Sequence, residues 1–227
     1  MAQEIVIIVA GGVGSRMKSD KPKQFLELLG EPVIVRTIKV FLHYNPAIKI
    51  IISVHRNYKA HMENLVAKFN LPQQQIEITP GGETRYDSVR NGLQLISDDG
   101  ALVAIHDAAR PLVSINTIKN CFETAAQKGN AIPCVGVNES IRKISNNINN
   151  AVNRLEYRII QTPQVFQVAL IKKAFSHGYS PSFTDDATVL EADGHTINLV
   201  EGNLENIKIT SPHDMIVAEA LLKNFSH

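Results

Sequence analysis

Glycine and positive charge crowd together near the start of this chain. Gly11, Gly12 and Gly14 precede Arg16, Lys18, Lys21 and Lys23, and all follow the β-branched run Ile5–Val9. Glycine lets backbone N–H groups approach and point at an anion, and the basic side chains supply the countercharge that a polyphosphate demands. The pattern therefore suits phosphate binding. It matches neither common nucleotide fingerprint: from Gly12 it reads Gly-Val-Gly-Ser-Arg-Met, lacking the third glycine of the dinucleotide motif. The acid that should close a second strand about 20 positions on, to hold a ribose, is also missing. No Gly-Lys-Ser/Thr of a Walker loop occurs anywhere. The plain alternative is a surface loop carrying solvated lysines.

Four further segments carry candidate chemistry. Gly81-Gly82-Glu83-Thr84-Arg85 leads into a helix that continues through Ser88. Two glycines at a strand exit give backbone access to the edge of a flat base, or they make a turn before a helix that Thr84 caps. His106-Asp107-Ala108-Ala109-Arg110-Pro111 follows the most hydrophobic strand. Asp107 suits a ribose hydroxyl or a metal-associated water, and Arg110 a phosphate; a structural pair that orders the turn is the bland reading. His106 is expected to pack or hydrogen-bond. The third segment joins Gln161-Thr162-Pro163-Gln164 with Phe183-Thr184-Asp185-Asp186, where Thr184 before an acidic first turn reads as a helix N-cap. The fourth, residues 201–210, is expected to end in a short alternating strand that projects Lys208 away from Ile207 and Ile209, into a cleft or into solvent.

These residues need a scaffold. Strands are expected at 5–10, 49–54, 75–79, 101–106 and 131–135, and helices at 33–43, 57–69, 84–96, 115–128, 167–176, 185–192 and 212–225. Unbroken apolar strands such as Ile50-Ile51-Ile52 suit a parallel sheet covered on both faces. The fold class is α/β, a mostly parallel twisted sheet flanked by helices, with ligands at the carboxyl ends of the strands. The asparagine-rich stretch 145–150 reads as the tip of a protruding β-hairpin between 140–144 and 151–155.

Composition narrows the partners. The chain has 227 residues, 44% hydrophobic, with net charge +1, which argues against broad electrostatic binding to nucleic acid. It has no apolar run long enough to span a bilayer and no signal-peptide pattern at its start. Two cysteines without metal spacing, Cys121 and Cys134, suit buried thiols in a reducing cytoplasm. We expect a cytoplasmic protein with no nucleic-acid or membrane partner, forming one domain over 1–227.

Taken in order, AGGVGSRM, PKQF, GGETRYDSV, HDAARP, QTPQVF, FTDDATVLE and EGNLENIKIT resemble the 2-C-methyl-D-erythritol 4-phosphate cytidylyltransferases of non-mevalonate isoprenoid biosynthesis. The resemblance runs collinearly from residue 10 to 210. It implies a Rossmann-like nucleotidyltransferase fold that joins CTP to methylerythritol 4-phosphate and releases pyrophosphate with Mg²⁺, bound mainly through the CTP phosphates. It further implies Arg16, Lys23 and Lys208 as catalytic residues. Ala10, Gly11, Gly12, Gly14, Gly82, Glu83, Arg85, Ser88 and Asp107 would seat the nucleotide. Asp107, Arg110, Ser140, Arg154, Thr162, Thr184 and Lys208 would seat the sugar phosphate, and no residue is assigned as a direct metal ligand. The 136–158 segment becomes a homodimer arm whose Arg154 reaches the partner's site. Ser140 stands where the family usually has threonine, and Gly12 where alanine is frequent. The nearest rival is ribitol-5-phosphate cytidylyltransferase, disfavoured by Ala108-Ala109. A nicotinamide-dependent oxidoreductase and a non-catalytic nucleotide sensor are more distant.

Overall fold

The computed structural model describes residues 2–12 and 21–225. The apolar run near the N-terminus forms β1 (Glu4–Ala10) at the centre of an eight-stranded sheet. A two-stranded hairpin, β2 (Glu27–Leu28) and β3 (Glu31–Pro32), leads into α1 (Val33–Tyr44). Then come β4 (Lys49–Val54), α2 (Lys59–Lys68), β5 (Ile76–Pro80), α3 (Arg85–Leu93), β6 (Leu102–Asp107), α4 (Ile115–Lys128) and β7 (Asn130–Gly136). The hairpin β8 (Arg142–Ser145) and β9 (Ile148–Ala151) follows, then β10 (Arg158–Ile160), β11 (Gln164–Gln167), α5 (Val168–Ser176), α6 (Asp186–Ala192), β12 (Leu199–Glu201) and α7 (Pro212–Phe225).

Strand order is β10-β7-β11-β6-β1-β4-β5, with β12 also paired to β7. β6, β1, β4 and β5 run parallel, whereas β11 meets β6 and β7 antiparallel. The chain builds outward from β1 through β4 to β5, then returns to β1's other side with β6. The order thus reverses between β1 and β6, and their carboxyl ends open a crevice there.

Alternation along the strands explains the two cores. Val6, Ile8, Ile50 and Ile52 pack against α1, α2 and α4, while Ile5, Ile7, Ile51 and Val103 face α3, α5 and α6. A third, smaller cluster sets Leu28 and Val33 against Ala109, Ile209 and Ala218 of α7. The five anticipated strands and seven helices are all present, within a few residues at their ends. The short strands β2, β3, β10, β11 and β12 were not anticipated. Each has two to four residues, too few for a period to register, and Pro163 interrupts the run from β10 to β11.

The predicted hairpin exists with a tighter tip than expected. Asn146 and Asn147 adopt φ of 51° and 62°, the left-handed pair a two-residue hairpin turn requires, so Ile148–Asn150 belong to β9 rather than to the turn. Among the described residues β8 and β9 pair only with each other, and Ile144 and Ile148 are 76% and 63% exposed. Both cysteines are buried and free, and burial pushes the Cys121 thiol up to about 12. Among the described residues no helix is long and apolar enough to cross a membrane.

Candidate active site

The crevice at the β1/β6 reversal is lined from four directions. From β1 come Ala10, Gly11 and Gly12, with Lys23 and Gln24 from the 3-10 turn Lys23–Phe25 beside them. Gly82, Glu83, Thr84, Arg85 and Ser88 form a second wall, Asp107, Ala108 and Ala109 the floor, and Lys208 the far side. Lys23 and Lys208, 185 positions apart by their numbering, thus face one cleft. Gly14 and Arg16 lie outside the described residues.

The second wall is built by a capping box. Thr84 Oγ1 accepts from the Asp87 N–H at 3.1 Å, and the Asp87 carboxylate accepts from the Thr84 N–H at 3.2 Å. Ser88 Oγ accepts from the Gly82 N–H at 3.1 Å and donates to the Thr84 carbonyl at 3.0 Å. Here glycine is required by close approach: a Cβ on Gly82 would sit 2.1 Å from Asp87 Cβ, and one on Gly11 2.9 Å from Ser88 Oγ. The capping reading of this segment holds: Thr84 caps the helix, and Gly82 stands in the wall of the cleft.

Asp107 is the electrostatic centre. Lys208 Nζ lies 2.9 Å from its carboxylate, Arg110 Nε 3.3 Å and Arg85 Nε 3.5 Å. Burial alone would raise this carboxyl; Arg85, Lys208 and Arg110 outweigh it and hold the group well below the usual carboxylate range. Arg85 also makes two parallel contacts of 2.7 Å to Asp186. Burial works against the Arg85 charge, but Asp186 and Asp107 reinforce it more strongly. Burial pushes Asp186 up in turn, while the bidentate guanidinium pulls it down; two N–H···O contacts need both oxygens as acceptors, so the ion-paired form fits the geometry. Arg85, Arg110 and Lys208 face Asp107 and Asp186, and Lys23 and Glu83 add one charge of each sign to the wall, which leaves positive charge in excess among the described residues. An anion is the ligand this field favours.

Beneath Asp107 lies a neutral relay. His106 Nε2 sits 3.0 Å from the Arg110 carbonyl, which can only accept, so that nitrogen carries the proton. Nδ1 then accepts from Thr162 Oγ1 at 3.1 Å, and Thr162 Oγ1 accepts from the Asp107 N–H at 3.1 Å. Burial holds His106 down at about 4, in keeping with the packing role expected of it.

The remaining sequence-predicted residues fall into three places. Arg110 and Thr162 sit behind Asp107, Arg110 also donating from Nη1 to the Asn206 carbonyl at 2.7 Å. Thr184 lines a neighbouring pocket with Tyr86, Tyr179 and Phe183, separated from the cleft by Arg85. It does not cap α6: Asp185 does, accepting from the Thr188 N–H at 2.9 Å, because its carboxylate sits one residue before the first helical turn. Ser140 and Arg154 lie on the exposed arm segment, outside the cleft. Residues 206–210 form no strand; the Ile209 N–H donates to the Ala109 carbonyl, Asn206 bridges to Thr162 and Arg110, and Lys208 meets Asp107, with Ile209 buried and Lys208 exposed.

Sequence reasoning missed Asp186, read only as part of an acidic first turn, and it missed Asn206 and Gln24. Asn206 is fully buried and donates to the Thr162 carbonyl at 2.8 Å, joining the Lys208 segment to the floor. Its place two residues before Lys208 was the available signal.

Comparison with known proteins fits this geometry. The IspD family model, described as 2-C-methyl-D-erythritol 4-phosphate cytidylyltransferase, matches residues 4–224. A relative of that name from Bacteroides thetaiotaomicron is 44% identical over 97% of this chain and 100% of its own. The crystal structure of the Francisella tularensis 2-C-methyl-D-erythritol 4-phosphate cytidylyltransferase is 31% identical, with a TM-score of 0.80 over 96% of this chain and 99% of that one. That of the Thermus thermophilus enzyme is 29% identical, with a TM-score of 0.78 over 98% and 100%. All are named for methylerythritol phosphate, so the ribitol 5-phosphate alternative is not favoured. With its glycine wall, its paired cations and this collinear match, the chain belongs to the 2-C-methyl-D-erythritol 4-phosphate cytidylyltransferase family.

Proposed function

We propose that the β1/β6 cleft seats CTP, its base and ribose along Ala10–Gly12, Gly82, Glu83, Arg85 and Ser88, and its triphosphate toward Lys23. The chain transfers a cytidylyl group from CTP to 2-C-methyl-D-erythritol 4-phosphate, giving 4-diphosphocytidyl-2-C-methyl-D-erythritol and pyrophosphate, a step of isoprenoid precursor biosynthesis. A phosphate oxygen of the sugar alcohol attacks the α-phosphorus; that P–O bond forms as the bond to the departing pyrophosphate breaks. The attacking phosphate is already ionised at neutral pH, so no general base is needed. Repulsion between two anions is the obstacle, and positioning plus fixed positive charge lowers it.

Lys23 and Arg16 would stabilise the charge that builds on the triphosphate, and Lys208 would hold the two reacting phosphates together. Asp107 keeps Lys208 at the cleft in the meantime, and Arg110, Thr162 and Thr184 would complete the sugar-phosphate side. Among the described residues no three groups converge as metal ligands. Mg²⁺ would be carried mainly by the triphosphate, and the ionised Asp107 is a cleft carboxylate that would help hold it. When bound, the ion would draw negative charge from the phosphate oxygens.

The 136–158 segment, with Ile144, Ile148 and Leu155 exposed and without a core to enter, would be the arm of a homodimer, within a single domain spanning 1–227. From it Arg154 and Ser140 would grip the sugar phosphate in the partner's site. Two buried free thiols and a near-neutral charge accord with a cytoplasmic enzyme that has neither nucleic-acid nor membrane partners.

The observation that carries this reading is the convergence of Lys23 and Lys208 on one glycine-walled cleft. The test is pyrophosphate release over a panel of nucleoside triphosphates with methylerythritol or ribitol phosphate. Release is expected with CTP plus methylerythritol 4-phosphate above every other pair; equal turnover with ribitol 5-phosphate, or none with CTP, overturns the assignment.

A further inference from the structure

Gln24 is 3% exposed, and its carboxamide points at the glycine loop. Nε2 donates to the Ala10 carbonyl at 2.8 Å and to the Gly12 carbonyl at 3.0 Å, so both amide protons are used on the two ends of the Gly11-Gly12 step. The next residue, Phe25, is buried against the Tyr58 and His61 rings, centroids 5.2 and 4.8 Å away. The 3-10 turn is therefore anchored on one side in the core and on the other in the loop. Lys23 immediately precedes the two anchors in the same turn.

We propose that Gln24 is a positioning residue that holds the glycine loop in its anion-accepting form. A glycine peptide can swivel at little steric cost, and each carbonyl oxygen carries partial negative charge. Left free, the Ala10 and Gly12 carbonyls can turn into the cleft and oppose a triphosphate. Tied to Gln24 they cannot. The trans peptide plane then sends the Gly11 N–H in the direction opposite to the Ala10 carbonyl, away from Gln24. This function rests on the cleft being the CTP seat, and it assigns to one buried amide the task of setting the polarity of the loop.

Two variants test it. Gln24→Met keeps the bulk and removes both donors. It should lower kcat/KM for CTP by about 10- to 100-fold, the scale of a small misplacement at a reacting centre, and leave the KM for methylerythritol 4-phosphate within about twofold. Gln24→Glu places a carboxyl against two acceptors; ionised it repels them, and protonated it restores one donor. Its kcat/KM for CTP relative to wild type should therefore rise about tenfold between pH 8.5 and 6.5, as a single titrating carboxyl takes up its proton. Among the described residues the charged groups facing the cleft are Lys23, Glu83, Arg85, Asp107 and Lys208; they are common to both proteins and cancel in that ratio. Thermal unfolding of each variant checks folding, and the Gln24→Glu ratio decides the matter alone if Gln24→Met does not fold. A pH-independent ratio, or a loss shared equally by both substrates, overturns the role of Gln24. Absence of turnover by the wild type with CTP would instead overturn the CTP reading of the cleft.

Discussion

The cleft and the arm of this protein answer burial in opposite ways. In the cleft, charged side chains sit where water is scarce: Asp107 and Asp186 are 7% and 1% exposed, and each is matched by guanidinium or ammonium groups. On the arm, apolar side chains stand in water: Leu155 is 75% exposed. The first arrangement is self-sufficient, because both buried carboxylates have their partners within the same chain. The second lacks a partner and invites one. Each region departs from the ordinary rule of polar outside and apolar inside, and the roles proposed for both rest on that departure.

The comparison predicts where substitutions act. Lys23→Ala should lower kcat by about 10²- to 10³-fold while weakening CTP binding only modestly, as for loss of one preorganised charge donor. Steady-state kinetics in both substrates would read it, and normal turnover would remove Lys23 from the mechanism. Asp107→Asn should damage both halves of the cleft's logic, since Arg85, Arg110 and Lys208 would lose their common carboxylate. A stability loss of about 3 kcal/mol, measured by urea unfolding, is expected for breaking a buried ion pair, with activity falling as well.

His106 supplies a pH signature confined to the cleft. The buried ring stays neutral down to about 4, whereas in the unfolded chain it takes up a proton near pH 6.5. The unfolded state thus binds more protons between those values, so this contribution is intact above pH 6.5 and is lost as pH falls toward 4. Unfolding at pH 7 and pH 5 should differ by about 2 kcal/mol more in the wild type than in His106→Gln. An identical pH dependence in both would show that His106 is not buried neutral.

The arm should behave differently. Arg154→Ala should raise the KM for methylerythritol 4-phosphate about tenfold, the value of one charge-assisted contact, with CTP affinity and folding stability nearly unchanged. Mixed with Lys23→Ala, it should restore partial activity through hybrid dimers. No complementation after verified subunit exchange would mean that each site is built from one chain.

Much of this was legible beforehand because it is local. A β-branched run draining into glycines, a cap at Thr84 and an apolar strand leading into Asp107 announce themselves within a few residues of sequence. The short strands beside β7 were not legible, since two to four residues cannot display a period, and they exist by pairing with a longer neighbour. Likewise Lys208 was read on a strand, but a backbone bond to Ala109, the Asn206 contacts and the burial of Ile209 place it.

By itself, the order of residues determined the five longer strands, the helices that flank them and the glycine-rich turns that follow β1 and β5, because each depends on spacing along one stretch of chain. Only tertiary structure decided that Arg85 spends its guanidinium on Asp186, that Lys208 returns to Asp107 from 101 positions away by number, and that Gln24 faces two carbonyls. Those pairings join segments distant in sequence, and a charge or an amide carries no sign of which distant partner will meet it until the core has brought the two together.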